Sequence, residues 1–336
     1  MSLAGMKKVL ITGGAGYVGH VLAPRLLDEG YEVTVYDKLY FGCRLPNDPK
    51  LRVIAGDIRD TQKLAAAFEG QDAVLHLACI SNDASFELDE NLSKTINYDC
   101  FEPMVVAAKK AGVKRFVYCS SSSVYGVSNS PDVTEDHPLL PLTLYNKFKG
   151  MCEPILWKYK SDDFTSVVIR PATLCGYSPR TRLDLSVNIL TNHAVNKGVI
   201  TVFGGTQMRP NLHIEDMVDA YQLMLEAPHE KIHGETFNIG YENHSIADIA
   251  LMAQKVVREE MPEKGKIDIV TTPSNDNRSY HVNSDKIYRI LGYRPKRTIE
   301  DAVRDLVRAF GNHLLDNSFE DDWYYNVRTM KRLGAK

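Results

Sequence analysis

No apolar run in the 336-residue chain approaches the roughly 18 residues of a membrane-spanning helix. The N-terminus has no basic region, apolar core and small-residue cleavage site in succession, so a secretory leader is not expected. Cysteine is scarce and unpatterned. The six (Cys43, Cys79, Cys100, Cys119, Cys152 and Cys175) include no C-x-x-C pair, and Cys79 and Cys119 sit in apolar, strand-like runs. They read as buried, reduced thiols of a cytoplasmic protein, and no metal is expected. Charge of one sign is also missing. With a net charge of −3 and no charged block, neither nucleic acid nor a membrane surface is an expected partner. Internal repeats and low-complexity tracts are absent. What remains is a soluble globular chain long enough for one large or two modest domains.

The most informative segment present is VLITGGAGYVGHVLAPRLLDEG, residues 9–30. Val9, Leu10 and Ile11 read as a strand, Gly13, Gly14, Gly16 and Gly19 as a tight turn, and Val18, Leu22 and Leu26 as the start of a helix. Glycine lets backbone approach a pyrophosphate without a Cβ in the way, and a helix start presents free N–H groups and a positive dipole end to it. A second strand, EVTVYD, ends in Asp37, eighteen residues after Gly19, where an acid bonds a ribose 2′-OH. The combination predicts a site for NAD. Like-charge repulsion from Asp37 disfavours a 2′-phosphate, although Lys38 and Arg44 stand near it.

Strand-like segments at 8–12, 32–36, 52–54, 73–78, 115–119 and 166–170 alternate with helical patterns at 17–29, 60–68, 92–111 and 143–160. This predicts an α/β fold with a doubly wound parallel sheet, and chemistry at the carboxyl ends of its strands. Beyond 175 the alternation fails. Helical patterns follow at 185–197, from about Ile214, at 245–260, near 284–291 and at 298–315, with strands at 236–240 and 267–270. The expected division is a nucleotide-binding domain over 1–175, to which 213–239 returns, and a smaller mixed α/β lobe over 176–212 and 240–336.

In LYNKFK, Tyr145 and Lys149 are four residues apart, on one face of a helix. A lysine ammonium and the positive charge of an oxidised nicotinamide would together favour the tyrosine phenolate and make it a base. The serine cluster SSSSVYG at the tail of strand 115–119 supplies a hydroxyl for the same substrate oxygen.

With these residues the chain resembles the extended short-chain dehydrogenase/reductases, in their nucleotide-sugar epimerase/dehydratase branch, nearly end to end. The T-G-x-x-G-x-x-G motif is Thr12 to Gly19, which puts Gly13, Gly16, Tyr17, Val18 and Gly19 at the cofactor. Asp37 and Lys38 follow, with Asp57 and Ile58 of GDIRD at the adenine. His76, Leu77, Ala78 and Cys79 stand where the family has H-L-A-A, with His76 as scaffold. A structural asparagine matches Asn97, and Pro171 lies in the strand-6 segment IRPATLCGY. The resemblance implies a catalytic triad of Ser121, Tyr145 and Lys149, with Ser122, Ser123 and Thr173 beside the sugar. Arg209, in G-x-Q-x-R before His213, and Arg278, in SNDNRSY, would grip a sugar diphosphate by bidentate pairing. Arg182 and Asn188 are further candidates for nucleotide or sugar contacts. A homodimer is expected through helices 92–111 and 143–160, with Val105, Val106, Ala108, Met151, Ile155 and Leu156 supplying an apolar face.

Members of this branch begin by hydride transfer from a sugar carbon to NAD. The 4,6-dehydratases carry an acid/base pair directly after the catalytic Ser or Thr. Here those positions are Ser122 and Ser123, with no carboxyl group to remove a proton beside a new ketone, a pattern closer to 4-epimerases. The resemblance therefore implies an NAD-dependent nucleotide-sugar epimerase, acting at C4 through a transient 4-keto sugar. A nucleotide 4-ketosugar reductase, another nucleotide-sugar oxidoreductase or dehydratase, or a non-catalytic NAD-binding sensor are the alternatives.

Overall fold

Apolar runs without alternation are what a strand needs when helices cover both its faces, and the first half of the chain folds accordingly. The computed structural model describes residues 5–128, 130, 132–274, 279 and 281–334. Its first six strands are β1 (Lys8–Thr12), β2 (Glu32–Asp37), β3 (Leu51–Ala55), β4 (Ala73–His76), β5 (Arg115–Cys119) and β6 (Thr165–Pro171). The later ones are β7 (Thr173–Cys175), β8 (Val199–Phe203), β9 (Met208–His213), β10 (Glu235–Ile239), β11 (Glu242–Ser245) and β12 (Asp268–Thr272). The main sheet runs in the order β10-β6-β5-β4-β1-β2-β3, with every neighbouring pair parallel. This is a Rossmann-type α/β architecture. Val9, Leu10, Ile11, Val74, Leu75, Phe116 and Val117 are fully buried at its centre.

One face of the sheet packs against the helices Gly19–Asp28 and Ile214–Glu226, through Leu22, Leu26, Met217 and Tyr221. The other packs against Thr61–Phe68, Phe101–Lys110 and Leu144–Lys158, through Phe68, Met104 and Leu156. The strand expected at 236–240 is β10, at the sheet edge beside β6. The remaining strands form a three-stranded sheet, β11-β9-β7, and a two-stranded one, β12-β8. A separate core containing Val187, Leu190, Ile249, Ala253 and Val303 lies beneath them.

Two regions depart from the sequence pattern. The helix expected over 92–111 is interrupted: Glu90–Lys94 and Phe101–Lys110 are joined through a π-helical turn, Thr95–Asp99. Such a turn adds a residue to the coil and re-aims one side chain. Here it carries Asn97, whose amide accepts from Ile80 N–H at 2.8 Å and donates to Ile80 C=O at 2.9 Å. The chain beyond 315, unassigned by periodicity, returns to the first half. Trp323 stacks against Arg44 at 4.5 Å, and the helix Asn326–Leu333 delivers Met330 into the core on the Phe101 face.

Candidate active site

A long cleft runs along the carboxyl ends of six adjacent strands. Gly13 follows β1, Asp37 ends β2, Gly56 and Asp57 follow β3, Leu77 follows β4, Ser120 follows β5 and Pro171 ends β6, and all of them line it. At one end the glycine turn is built by close approach. Gly13 has φ +73°, and a Cβ there would stand 2.7 Å from the Ala78 backbone. The turn is pinned to β2 by Ala15 N–H, which donates to the Asp37 carboxylate at 3.0 Å, with Leu39 N–H on the other oxygen at 2.7 Å. Burial raises the Asp37 pKa, while the N–H groups of Leu39 and Ala15 oppose that rise. Asp57 lies at the same end, where burial is outweighed by hydrogen bonds from Arg59 and Lys38 that hold its carboxyl well below the usual range. Lys38 Nζ reaches Asp57 at 2.7 Å.

At the other end the helix Leu144–Lys158 is capped by Thr143, whose hydroxyl accepts from Asn146 N–H at 3.3 Å and donates to Asp83 at 2.6 Å. One turn apart on this helix, Tyr145 and Lys149 both line the cleft. Lys149 Nζ donates to the Cys119 carbonyl at 2.7 Å and lies 5.3 Å from the centre of the Tyr118 ring. Burial pushes the Tyr145 phenol well above 10, with the charge of Arg182 pulling the other way. The four serines are sorted by their partners. Ser120 Oγ donates to the buried carboxylate of Glu153 at 2.6 Å, which is itself paired with Arg170. Ser123 Oγ donates to Asn146, while Ser121 Oγ lies 2.7 Å from Ser123 Oγ. Ser122 is 1% exposed. Ser121, Ser122 and Ser123 all line the cleft with Tyr145, and the Ser121 hydroxyl also accepts from Ser123 N–H at 3.2 Å.

Residues 9–240 match the NAD dependent epimerase/dehydratase family. The chain belongs to that family. UDP-glucose 4-epimerase of Lactobacillus helveticus is 31% identical over 322 residues, covering 88% of this chain and 94% of the relative. The dTDP-D-glucose 4,6-dehydratase of Mus musculus is 28% identical over 322 residues, covering 90% and 88%. A solved structure of MoeE5 in complex with UDP-glucose and NAD superposes with a TM-score of 0.78 at 25% identity, covering 91% of this chain and 99% of that one. UDP-glucose 4-epimerase from Thermotoga maritima shares the fold, with a TM-score of 0.81 at 24% identity.

As in the rest of the NAD dependent epimerase/dehydratase family, the cofactor is NAD, and the residues present fit it. Asp37 ends the second strand, and the two cations that would favour a 2′-phosphate are engaged elsewhere, Lys38 with Asp57 and Arg44 with Trp323. His76, beside the site, is scaffold: its Nδ1 is 2.7 Å from Thr12 Oγ1 and its ring stacks on Tyr118 at 5.8 Å. Among the described residues no cluster of His, Cys, Asp or Glu could hold a metal ion.

Most of the residues expected at the site line the cleft: Gly13, Gly16, Tyr17, Val18, Asp37, Lys38, Asp57, Ile58, Leu77, Ala78, Ser121, Ser122, Ser123, Tyr145, Lys149, Pro171, Thr173, Arg182 and Arg209. Three stand behind the wall instead. Gly19 packs on the turn, where a Cβ would meet Gly14 O at 2.1 Å, so its lack of a side chain serves helix packing. Asn97 acts through Ile80, as described above. Asn188 is fully buried; its amide accepts from Gly176 N–H at 3.0 Å and donates to Arg182 C=O at 2.8 Å and the Tyr17 hydroxyl at 3.3 Å. It ties the glycine turn to the 176–188 segment. Arg278 lies outside the described residues. Arg182 is held bidentately by Asp184, at 2.9 and 3.1 Å. Sequence reasoning missed Arg180, Asn326 and Met330, which also line the cleft. No motif marks them, because the last two come from a helix whose partners are far away in sequence.

Proposed function

We propose that this protein is an NAD-dependent nucleotide-sugar epimerase that inverts C4 through a transient 4-keto sugar. The observation that carries the reading is the placement of Tyr145, Lys149 and Ser121 at the tail of β5, at the end of the cleft away from Asp37 and Asp57. When bound there, NAD accepts a hydride from the sugar carbon and can return it.

The chain's own residues handle the proton and the geometry. Ser121 Oγ hydrogen-bonds the C4 oxygen, and Tyr145 Oη removes its proton. Burial raises the phenol pKa and so opposes its ionisation, and the Lys149 ammonium together with the positive charge of an oxidised cofactor would favour the phenolate. This couples proton removal to oxidised cofactor. Arg209, on β9 and lining the cleft, grips the sugar diphosphate, and Thr173, on the neighbouring strand β7 opposite Asn211, lines the same cleft. An anchor at the diphosphate lets the keto sugar turn over without leaving, so that the hydride returns to its other face.

Ser122 and Ser123 argue against elimination, since neither removes a carbon-bound proton. Asp83, which lines the cleft besides Asp37 and Asp57, accepts from the Thr143 hydroxyl at the head of the tyrosine helix. The test is Tyr145→Phe assayed against a panel of UDP-, dTDP-, GDP- and CDP-sugars. Turnover should fall by about 10²- to 10⁴-fold with NAD still bound. An unchanged rate would remove the base.

A further inference from the structure

The cleft wall contains a buried cation that no carboxylate contacts directly among the described residues. Arg180 is 1% exposed, its guanidinium lies 3.9 Å over the Phe41 ring, and one terminal nitrogen donates to Asn326 Oδ1 at 2.6 Å. Its Nε–H has no partner, and no carboxylate lies within ion-pair distance of it among the described residues. The nearby Asp184 is taken by Arg182, in two bonds. Burial, and then the like charge of Arg182, push the Arg180 pKa down to about 9. Burying an unpaired guanidinium and leaving a donor unsatisfied each cost free energy, and such sites persist where a ligand supplies the missing anion.

Its surroundings say which anion. Ser178 Oγ, two residues before Arg180, donates to the Tyr17 carbonyl at 2.7 Å, and the Tyr17 hydroxyl donates to the Gly176 carbonyl at 2.6 Å. These bonds tie the Arg180 segment to the glycine turn, and Arg180 lines the same cleft as Gly13, Gly16 and Tyr17, ahead of a helix N-terminus suited to phosphate. The sugar diphosphate anchor, Arg209, comes from a different sheet.

We propose that Arg180 is a second anchor for the pyrophosphate of NAD, supplied by the 176–185 loop and held ready by Phe41 and Asn326. The C-terminal helix is thereby part of the cofactor site: Asn326 also donates its side-chain amide to Ser81 Oγ at 2.9 Å and its backbone N–H to the Asp184 carboxylate at 3.2 Å. A guanidinium fixed on both sides before binding can present its remaining terminal N–H groups to a phosphate oxygen at little entropic cost. This inference rests on NAD as the cofactor and not on the C4 reaction.

The test uses the full-length chain and its Arg180→Met and Arg180→Lys variants. NAD retained per chain after desalting is measured, with dissociation constants for NAD, ADP-ribose, adenosine and UDP after cofactor removal. Arg180→Met should weaken NAD and ADP-ribose at least tenfold while adenosine and UDP stay within twofold. Arg180→Lys should lie between, which keeps the proposal testable if the methionine variant folds poorly. Unchanged NAD and ADP-ribose affinities would overturn the proposal. So would parallel loss of adenosine binding, which marks a packing role, or loss confined to UDP, which marks a substrate anchor.

Discussion

Tyr145 and Lys149 carry the chemical reading, and their environments differ in a way that can be measured. The phenol is pushed up by burial, while the Lys149 ammonium is held beside it by a bond to the Cys119 carbonyl at 2.7 Å. Removing the ammonium takes away a charge that stabilises phenolate. Lys149→Met is therefore expected to move the rising limb of the pH–rate profile to higher pH, by a unit or more, besides lowering the rate. A profile that drops in height without moving would assign Lys149 to binding alone. Much of this pair was legible in the sequence, because helical spacing fixes which side chains share a face. Arg180 was not. Its burial depends on Phe41 and Asn326, and the latter is 146 residues away.

Strand β4 shows how an element can hold the site and set its acid limit at once. His76, at its end, is wedged among Phe101, Phe116 and Tyr118 with Thr12 on its Nδ1. Burial, and then the charge of Lys149, lower its pKa from 6.5 to about 3. Below pH 6.5 the unfolded chain takes up a proton that the folded chain refuses, so stability is complete above 6.5 and falls as pH drops toward 3. The loss is about 1.4 kcal/mol per pH unit, or roughly 2 kcal/mol between pH 7 and 5. Urea titrations across this range should show that slope, and His76→Gln should reduce it by one proton. An identical slope in the variant would contradict the assignment. The elements themselves were legible where both faces of a strand are covered, as in β1 and β4 to β6. The strands β7, β8, β9 and β11 of the two small sheets were not: β8, for one, is five residues long and follows directly on Gly198, which closes the preceding helix. The π turn at Thr95–Asp99 is invisible to a period of 3.6, since what fixes it is the pairing of Asn97 with Ile80.

For the whole molecule, the six apolar residues expected at a dimer interface divide by burial. Val105, Ala108 and Leu156 are already buried against the sheet, whereas Val106, Met151 and Ile155 are half-buried. We propose that these last three form the centre of a homodimer interface between the helices Phe101–Lys110 and Leu144–Lys158. Light scattering at micromolar concentration should give twice the 37.8 kDa chain mass, and Ile155→Glu should give the single mass. A parent protein of single mass would remove the interface. The chain from 316 to 334 had no period to read, being polar and short, yet it returns across the cleft and places Asn326 and Met330 in its wall.

The central claim is inversion at C4 with the hydride held inside the protein and no carbon-bound proton exchanged. It is tested by incubating the protein, with only the NAD it retains, with nucleotide sugars in deuterated water, and following products by mass spectrometry and NMR. The account predicts a C4 epimer at unchanged mass. Deuterium on the sugar carbons, or turnover only with added NAD(P)H, would contradict it.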